Sequence, residues 1–290
     1  MSPKAGIIIR TFNEEAMLGR TLEAIAAQSE QAFEVILVDS GSTDRTLEIA
    51  RSFPGIRIIQ IPKDEFTYGR ALNIGIAACS PGVEYAVLLS AHAVPCHQNW
   101  LAALLAPMEN NPQIMGVYGK QIPHPEHVRG PIMRNLGQDI YPWCYGENAY
   151  QTNDKIFFSN VNAAIRRSWW EKIPFDESLP FCEDWAWCKR IQQNNGSIAY
   201  EPSAAVIHSH LETVYSYFKR FKKHARAERL LSVGKHDRSG RMLLKDIYDG
   251  VKTYLRQCRK ERKILGRHFD RWITRLDEDM ARVATIKSKA

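Results

Sequence analysis

The 290-residue sequence lacks an apolar run long enough to cross a membrane, because its longest uninterrupted apolar stretches are only a few residues. It also lacks the apolar region and cleavage site of a secretory signal ahead of residues 6–9, which predict a first β-strand. It has no internal repeat and no low-complexity segment. The 44% hydrophobic and 24% charged residues are typical of a folded soluble protein. We therefore expect a cytoplasmic protein with one large α/β domain, alone or with an appendage.

The six cysteines include no CxxC pair and no zinc-ribbon spacing. This pattern favours reduced thiols over a disulfide framework, in keeping with a cytoplasmic location. The cysteines stand at positions 79, 96, 144, 182, 188 and 258.

Acidic residues are scarce in the last part of the chain. Residues 212–290 contain 22 Lys and Arg against 10 Asp and Glu, whereas residues 1–211 contain 17 against 22. The formal net charge of +7 therefore belongs to the tail, and the front part is mildly acidic. A basic tail suits a phosphate-bearing partner, a membrane surface or nucleic acid, and it does not indicate a fold.

Short apolar runs alternate with amphipathic patterns through the first half of the chain. The runs predict strands, and the patterns between them predict helices. Strands and helices at this spacing imply βαβ units, and so an α/β fold with a mixed, mainly parallel sheet flanked by helices. The predicted strands are 6–9, 33–38, 56–61 and 85–89, and the predicted helices are 14–27, 43–52 and 68–78.

The second half is less regular. Residues 119–158, rich in Pro, Gly, His and Asn, predict a long irregular connection, and regular structure resumes over 157–165. The stretch "CEDWAWCKRIQQNNG" predicts a helix closed by a glycine C-cap, and "SIAYEPSAAVIHSH" predicts strands. Beyond His210, amphipathic stripes predict helices to the end. The expected division is 1–118 and 119–211, the two halves of one α/β domain, and 212–290, a basic helical extension.

Polar residues follow three of the predicted strands. Ligands of open α/β sheets bind beyond the carboxyl ends of their strands, so we expect these residues to meet at one edge of the sheet. Their convergence is the first indication of a ligand site. The three segments are 10–14 ("RTFNE"), 39–42 ("DSGS") and 90–92 ("SAH").

Seven stretches follow one another along the chain: "IIIRTFNEE", "EVILVDSGSTDRT", "GRALNIGIAAC", "YAVLLSAHAVP", "FFSNVNAAIRRSWWE", "PFDESLPFCEDWAWCKRI" and "YEPSAAVIHSH". In this order they resemble the family 2 glycosyltransferases, and most of all the rhamnosyltransferase-like branch that builds bacterial surface polysaccharides. The likeness runs from residue 6 to about residue 230 and depends on the order of the motifs. It implies a GT-A fold, with 1–118 as the nucleotide-sugar-binding half and 119–211 as the acceptor and catalytic half. It also implies an inverting transfer from a nucleotide-activated sugar.

The resemblance implies that Asp39 is the nucleotide-binding aspartate, since a carboxylate at a strand end can accept hydrogen bonds from a base or ribose. The alternative is that Asp39 only caps the turn before Gly41. Arg70 suits the diphosphate, or it is a surface arginine on a helix. The donor-binding residues implied by the resemblance are Thr11, Asn13, Glu14, Asp39, Ser42, Arg70, Asn73, Ser90 and Ala91.

Glu183 and Asp184 begin a predicted helix. By resemblance, Asp184 is the general base that deprotonates the acceptor hydroxyl during attack, with Glu183 beside it, and such catalysis contributes ~10²–10⁴-fold. The alternative is an acidic pair that only favours the helix N-terminus. Asn160 and Asn162 could orient sugar hydroxyls. Trp185 could offer a sugar-stacking surface, with packing in the core as the alternative.

No acid stands at the strand end Ser90-Ala91-His92, where the family usually carries Asp-x-Asp. His92 takes the place of the metal-binding aspartate, and His208 lies where another histidine ligand is often found, with His210 as the weaker candidate. One hypothesis is a divalent ion that His92 and His208 share and that neutralises the departing diphosphate. Mn²⁺ is then favoured over Mg²⁺, which imidazole suits poorly. The other hypothesis is that His92 hydrogen-bonds the phosphates and no metal is needed.

The tail combines apolar stripes with the basic run "KRFKKHARAERLL". One interpretation is a helical platform at the inner face of the cytoplasmic membrane, where a lipid-linked acceptor would be found. The other is packing on the catalytic domain or on a second subunit in a homo-oligomer.

The expected function is therefore transfer of a sugar, from dTDP-rhamnose or a UDP-sugar, to a glycan or lipid-linked acceptor. The alternatives are a nucleotide-sugar-binding protein without catalysis and a metal-independent transferase. A nucleic-acid partner is disfavoured because the tail carries no recognised nucleic-acid module and the front part is acidic. A nucleotidyltransferase would need a Gly-rich basic loop near the N-terminus, which "RTFNEEAMLGR" is not.

Overall fold

The computed structural model describes residues 2–124, 147–153 and 157–209. His210 and the predicted extension 212–290 lie outside these residues. The strands are β1 (Ala5–Thr11), β2 (Phe33–Asp39), β3 (Ile56–Gln60), β4 (Tyr85–Ser90), β5 (Val94–Pro95), β6 (Ile114–Ile122), β7 (Tyr150–Thr152), β8 (Asn162–Arg166) and β9 (Ser197–Ile207). They form one nine-stranded sheet in the order β3-β2-β1-β4-β8-β6-β9-β5, with β7 also paired to β9.

Helices cover both faces of this sheet. One apolar layer contains Leu72 and Ile76 of α3 and Trp187 of α6, and the opposite layer contains Leu22 of α1 and Leu104 of α4. The strands Ala5–Thr11, Phe33–Asp39 and Tyr85–Ser90 are buried on both faces over most of their length, which explains their continuous apolar runs. The helices are α1 (Leu18–Ala26), α2 (Thr46–Ser52), α3 (Tyr68–Ala77), α4 (Trp100–Asn110), the short α5 (Arg167–Trp170) and α6 (Glu183–Gln193).

Strands β3, β2, β1 and β4 are parallel, as predicted. Their register pairs Thr11 with Asp39 and Arg10 with Ser90, so the carboxyl ends of β1, β2 and β4 lie side by side. The predicted convergence of the three polar segments at one sheet edge is therefore confirmed.

The other part of the sheet is mixed. β8 runs antiparallel between β4 and β6, and Asn162 at its start pairs with Leu89 near the end of β4. This reversal brings the residues just before β8, including Asn160, to the carboxyl edge of the parallel strands. The two parts of the sheet thus meet at one edge although they are far apart in the sequence.

Strand β6 occupies the start of the segment that we predicted to be irregular, 119–158. The prediction was wrong there because two glycines interrupt its apolar pattern. A Cβ atom at Gly119 would lie 2.0 Å from the carbonyl oxygen of Ala204, and one at Gly116 would lie 3.0 Å from the Trp187 ring. These glycines allow close approach of neighbouring chain and rings rather than a turn.

The first two helices begin later than predicted, at Leu18 and Thr46 instead of Glu14 and Thr43. The residues before them hydrogen-bond each other across the two loops. The backbone N–H of Glu14 donates to Thr46 Oγ1 (2.7 Å), and that of Thr43 donates to Asn13 Oδ1 (2.8 Å). Loop-to-loop bonds therefore replace the first helical turn.

The end of α6 also differs from the prediction. The left-handed residue is Asn195, with a φ of 61°, and not Gly196. A Cβ atom at Gly196 would lie 2.7 Å from Ile191 Cγ2 and 2.8 Å from Met115 Cγ, so this glycine is needed for packing. After Gly, Asn is the residue most often found at a left-handed C-cap, which explains why Asn195 adopts this conformation.

Candidate active site

The loops after β1 and β2 form the donor side of the site, by which we mean the interlocked residues 13–15 and 39–46. The buried Asp39 accepts from the backbone N–H groups of Gly41 and Ser42 through Oδ2, both at 3.0 Å, and from the Ser42 hydroxyl through Oδ1. The Ser42 hydroxyl in turn accepts from the backbone N–H of Asn13 (2.9 Å). Asp39 thus caps its own turn, and the donor side is held in place by its own hydrogen bonds.

Asn13 has a left-handed backbone, with a φ of 54°. Such a conformation in a residue other than glycine costs of order 1 kcal/mol or more, and it tends to occur at functional sites. Here it turns the chain so that the Asn13 side chain reaches the loop after β2.

Thr11 is the last residue of β1 and is buried. Its hydroxyl has no hydrogen-bond partner among the described residues, although a buried polar atom normally has one. Thr11 is paired in register with Asp39. The structure therefore places an unsatisfied hydroxyl beside the predicted nucleotide-binding aspartate.

Arg70 and Asn73, on α3, contact protein groups. Arg70 forms ion pairs with Glu65 (2.7 Å) and Glu177 (3.4 Å) at the surface. The Asn73 amide donates to the Phe175 carbonyl and to Glu177, both at 2.9 Å, and its oxygen accepts from the Trp170 indole (2.8 Å). Asn73 thus ties α3 to the segment before α6.

The acidic pair stands at the start of α6. Glu183 is buried, and its Oε1 accepts from Arg10 Nη1 and from the Asn160 amide, both at 3.2 Å. Asp184 is partly buried and accepts from the backbone N–H of Asn160 (3.4 Å). The structure thus brings together the pair, Asn160 and the end of β1, from three distant parts of the sequence.

The two acids differ in what surrounds them. Burial, and to a smaller extent the negative charge of Glu183, raise the pKa of Asp184 to about 8. The backbone N–H groups of Trp185 and Asn160 and the charge of Arg10 act in the opposite direction. Burial outweighs the helix N-terminus here, and a carboxyl group with a pKa near 8 can take up and release a proton under mild conditions.

The residue before the pair, Cys182, is also left-handed, with a φ of 63°. It is the N-cap of α6 and contributes no side-chain cap. Two of the three left-handed residues other than glycine in the described chain, Asn13 and Cys182, therefore flank this site. The strain is consistent with a segment that is shaped to present side chains.

His92 and His208 form a pair at the ends of β4 and β9. His92 Nδ1 lies 2.8 Å from Glu14 Oε1, and His92 Nε2 lies 3.1 Å from His208 Nε2. The rings are stacked, with centroids 4.8 Å apart. A carboxylate at Nδ1 favours the tautomer with its hydrogen on that atom, which directs the Nε2 lone pair of His92 towards His208.

The pair suits a divalent ion in part. Neighbouring imidazole ligands of one ion lie about 2.9–3.4 Å apart when the metal–nitrogen bonds are about 2.0–2.1 Å, and the two Nε2 atoms are 3.1 Å apart. Glu14 supplies the carboxylate that commonly orients such a histidine. Among the described residues no group of three or more His, Cys, Asp or Glu side chains could hold a metal. His210 lies outside them.

Two of the predicted acceptor-binding residues, Asn162 and Trp185, lie in the interior of the fold. The side chain of Asn162 is buried and bonds with the Trp100 indole (3.0 Å) and the carbonyl groups of Lys120 (3.2 Å) and Ala204 (2.7 Å). Trp185 is buried and packs 6.0 Å from the Phe157 ring. Both residues hold the fold together, whereas Asn160 stays beside the acids.

Ser90 and Ala91 lie at the end of β4, where the Ala91 carbonyl accepts from Thr21 (2.8 Å).

Arg10 and Phe12 belong to the segment 10–14 that we predicted at this edge, but neither was given a role, and Tyr68 was not predicted as a site residue. Arg10 contacts Glu183, and its guanidinium lies 5.1 Å from the centre of the Tyr68 ring. Phe12 is 39% exposed directly after β1, and Tyr68 is 38% exposed. A cation and an aromatic residue on either side of Thr11 were visible in "RTFNE", but only the fold places them next to Glu183.

The fold resembles that of the mannosyltransferase PcManGT from Pyrobaculum calidifontis, solved with GDP-Man and Mn²⁺. The TM-score is 0.62 at 16% identity, over 94% of this chain and 84% of that one. The protein is therefore a glycosyltransferase of the GT-A fold, in which helices flank a mixed sheet. The sequence model of Glycosyl transferase family 2 matches residues 6–173, more than half of the chain, and the chain belongs to this family.

Two relatives are O-antigen chain rhamnosyltransferases. WbaN of Salmonella anatum is 30% identical over 226 residues, which are 76% of this chain and 70% of that one. RfbN of Salmonella typhimurium is 27% identical over 224 residues, 75% of this chain and 70% of that one. No helix within 2–124, 147–153 and 157–209 is long and apolar enough to span a membrane.

Proposed function

We propose that the chain is an inverting glycosyltransferase that moves a sugar from a nucleotide-diphosphate donor to a glycan or lipid-linked acceptor in bacterial surface polysaccharide synthesis. The observation that carries this proposal is the placement of Asp184. It stands beside the carboxyl edge of the parallel strands, hydrogen-bonded to the Asn160 backbone, with a pKa raised by burial to about 8. The names of the two rhamnosyltransferase relatives favour dTDP-rhamnose, with a UDP-sugar as the second choice.

Asp184 acts as the base in this proposal. Its carboxylate takes the proton of the acceptor hydroxyl as that oxygen forms a bond to the anomeric carbon, and the bond from this carbon to the diphosphate oxygen breaks. The nucleoside diphosphate leaves with the electron pair. Attack from the face opposite the leaving group inverts the configuration. The Asn160 side-chain oxygen, a buried acceptor without a described partner, is placed to receive a hydrogen bond from a sugar hydroxyl.

The donor binds along the ends of β1 and β2 in this proposal. Thr11 Oγ1 and the exposed ring of Phe12 are available to a nucleotide, and Lys63 lies 4.8 Å above the Phe12 ring. Asp39 either exchanges its turn hydrogen bonds for the nucleotide or holds the loop for it. Arg70 reaches a diphosphate only if it leaves Glu65 and Glu177.

We propose that His92 and His208 hold a divalent ion, Mn²⁺ before Mg²⁺, with Glu14 fixing the His92 ring. A bound ion would neutralise charge on the departing diphosphate. The chemistry of two imidazole nitrogens 3.1 Å apart and the Mn²⁺ in the PcManGT complex support this assignment. The competing proposal is a metal-independent transferase in which His92 hydrogen-bonds the phosphates.

Thermal unfolding with UDP, GDP, dTDP and CMP, each with and without Mn²⁺, tests the donor and the metal together. A ligand that binds only the folded protein raises its Tm. At a ligand concentration of 100 times the Kd, the free energy of unfolding increases by ~2.7 kcal/mol. We expect dTDP with Mn²⁺ to give the largest rise. If no nucleotide raises the Tm, the donor proposal is wrong. If Mn²⁺ changes nothing, the metal-independent alternative holds.

A nucleotide-sugar-binding protein without catalysis is the second candidate function. The missing acid at Ser90-Ala91-His92, where the family usually carries Asp-x-Asp, favours it. A transfer assay between pH 6 and 9 separates the two candidates. A transferase should become faster as pH rises through about 8, whereas the binding protein should show no turnover at any pH.

A further inference from the structure

Arg10 links the two parts of the site. It is the penultimate residue of β1, in the parallel part of the sheet, and its guanidinium forms an ion pair with Glu183 at the start of α6. The side chains of Arg10 and Glu183 are 13% and 6% exposed, so water screens this pair little. The Tyr68 ring lies against the guanidinium at 5.1 Å, in range of a cation–π interaction.

The ion pair matters because two carboxyl groups are adjacent in a poorly hydrated place. Among the described residues, the charged or titratable side chains that interact with Asp184 include Glu183 and Cys188 from its own helix and Arg10 from β1. Burial raises the pKa of the Cys188 thiol to about 12, so Cys188 stays neutral. Arg10 is therefore the positive side chain among them and balances Glu183.

We propose that Arg10 is a positioning residue for sugar transfer: through their ion pair it holds the Glu183 side chain in place and offsets the negative charge beside Asp184, so that the proton of the acceptor hydroxyl passes to Asp184. This inference rests on the proposed function. Arg10 touches neither donor nor acceptor in it, and acts through Glu183. Without Arg10, the negative charge beside Asp184 would be unbalanced, and Asp184 would hold its proton up to a higher pH.

The pH profile of kcat/KM is the decisive measurement, in the full chain, for wild type, R10M, R10K and E183Q. R10M should move the acidic limb of the profile to higher pH by about one unit, the size of shift that one nearby charge produces. E183Q should move it in the opposite direction, because the repulsion is gone. R10K keeps the charge and should leave the limb near the wild-type position with a lower kcat. K4M is the control, since Lys4 pairs with Glu109 on the exposed surface and should leave the pH profile unchanged.

A stability measurement tests the same inference without activity. A folded-state pKa above the ordinary value of 3.8 means that stability falls as pH rises from about 4 through 8. R10M should therefore lose more Tm than wild type between pH 5 and 9, and E183Q should lose less. K4M should follow wild type.

The outcomes separate the inference from the function on which it rests. An inactive D184N variant together with a wild-type pH profile and Tm profile in R10M would overturn the role of Arg10 alone. Full activity of D184N would overturn the proposed base instead, and the Tm profiles of R10M and E183Q would still decide whether Arg10 balances the pair. Opposite shifts in R10M and E183Q, with R10K close to wild type, support the inference.

Discussion

The two sides of the candidate site are built differently. On the donor side, Asp39 and Ser42 make their hydrogen bonds within their own loops, so the loops are held without a ligand. On the acidic side, Asp184 has a strongly raised pKa and the Asn160 oxygen lacks a described partner. The comparison indicates that hydrogen bonds within the protein fix the geometry of the donor-binding loops. The reactive groups, in contrast, are those whose polar atoms lack such partners or are poorly hydrated.

The sharpest way to test this difference is D184N. We expect a loss of kcat of ~10²–10⁴-fold, the usual contribution of a general base. The variant should fold, and above pH 8 it should be more stable than wild type, because the buried charge is gone and stability no longer falls between about pH 4 and 8. Transfer rates and the Tm from pH 5 to 9 measure both effects. E48Q, at the exposed start of α2, is the control. Unchanged kcat in D184N would remove the acidic side from the mechanism.

The second prediction contrasts two asparagines that are two residues apart. N162A should lower the free energy of unfolding by about 2–4 kcal/mol, because the buried Trp100 indole and two carbonyl groups lose their partner. Activity per folded molecule should stay near wild type. N160A should do the reverse, with a lower kcat and a smaller change in stability. Urea unfolding and the transfer assay distinguish them, and a large loss of kcat in folded N162A would contradict the structural role.

These asparagines show where sequence reasoning succeeds and where it stops. The parallel strands and their polar ends were predicted because each pattern is local: apolar runs form strands, and parallel strands place their carboxyl ends at one edge. The roles of Asn160 and Asn162 depend on β8 pairing antiparallel to β4, which no local pattern contains. β6 was missed because its glycines serve contacts with Ala204 and Trp187.

The site shows the same limit. Asp184 and His92 were singled out by resemblance, and the structure places each beside a partner that "SAH" and "CEDW" do not contain: Arg10 near the acids and Glu14 at the imidazole. Distances between segments 78 or 173 residues apart follow from the register of the sheet. Residue types were therefore predictable, and their pairing was not.

The third prediction concerns Glu14, which belongs to the donor loop but contacts the histidine pair. E14Q should weaken Mn²⁺ binding by about 10–100-fold, because the carboxylate that orients the His92 ring is lost. Titration with Mn²⁺ by calorimetry measures this, with the exposed E23Q on α1 as the control. If Mn²⁺ binds E14Q as it binds wild type, Glu14 does not orient a ligand. If it binds neither E14Q nor wild type, the metal proposal fails.

The smallest effect belongs to Thr11, which pairs in register with Asp39 and whose hydroxyl has no partner among the described residues. T11V keeps the shape and removes the hydroxyl. If that hydroxyl waits for the nucleotide, T11V should weaken nucleotide binding by about 3–10-fold, the value of one hydrogen bond, and should leave the Tm of the free protein unchanged or higher. T11S, which keeps the hydroxyl, should bind as wild type does. A free-protein Tm that falls in T11V, with nucleotide affinity unchanged, would mean that the hydroxyl serves the fold. Thr11, like Asp39, would then make its hydrogen bonds within the protein in the absence of a ligand. This would increase the contrast with Asp184 and with the Asn160 oxygen.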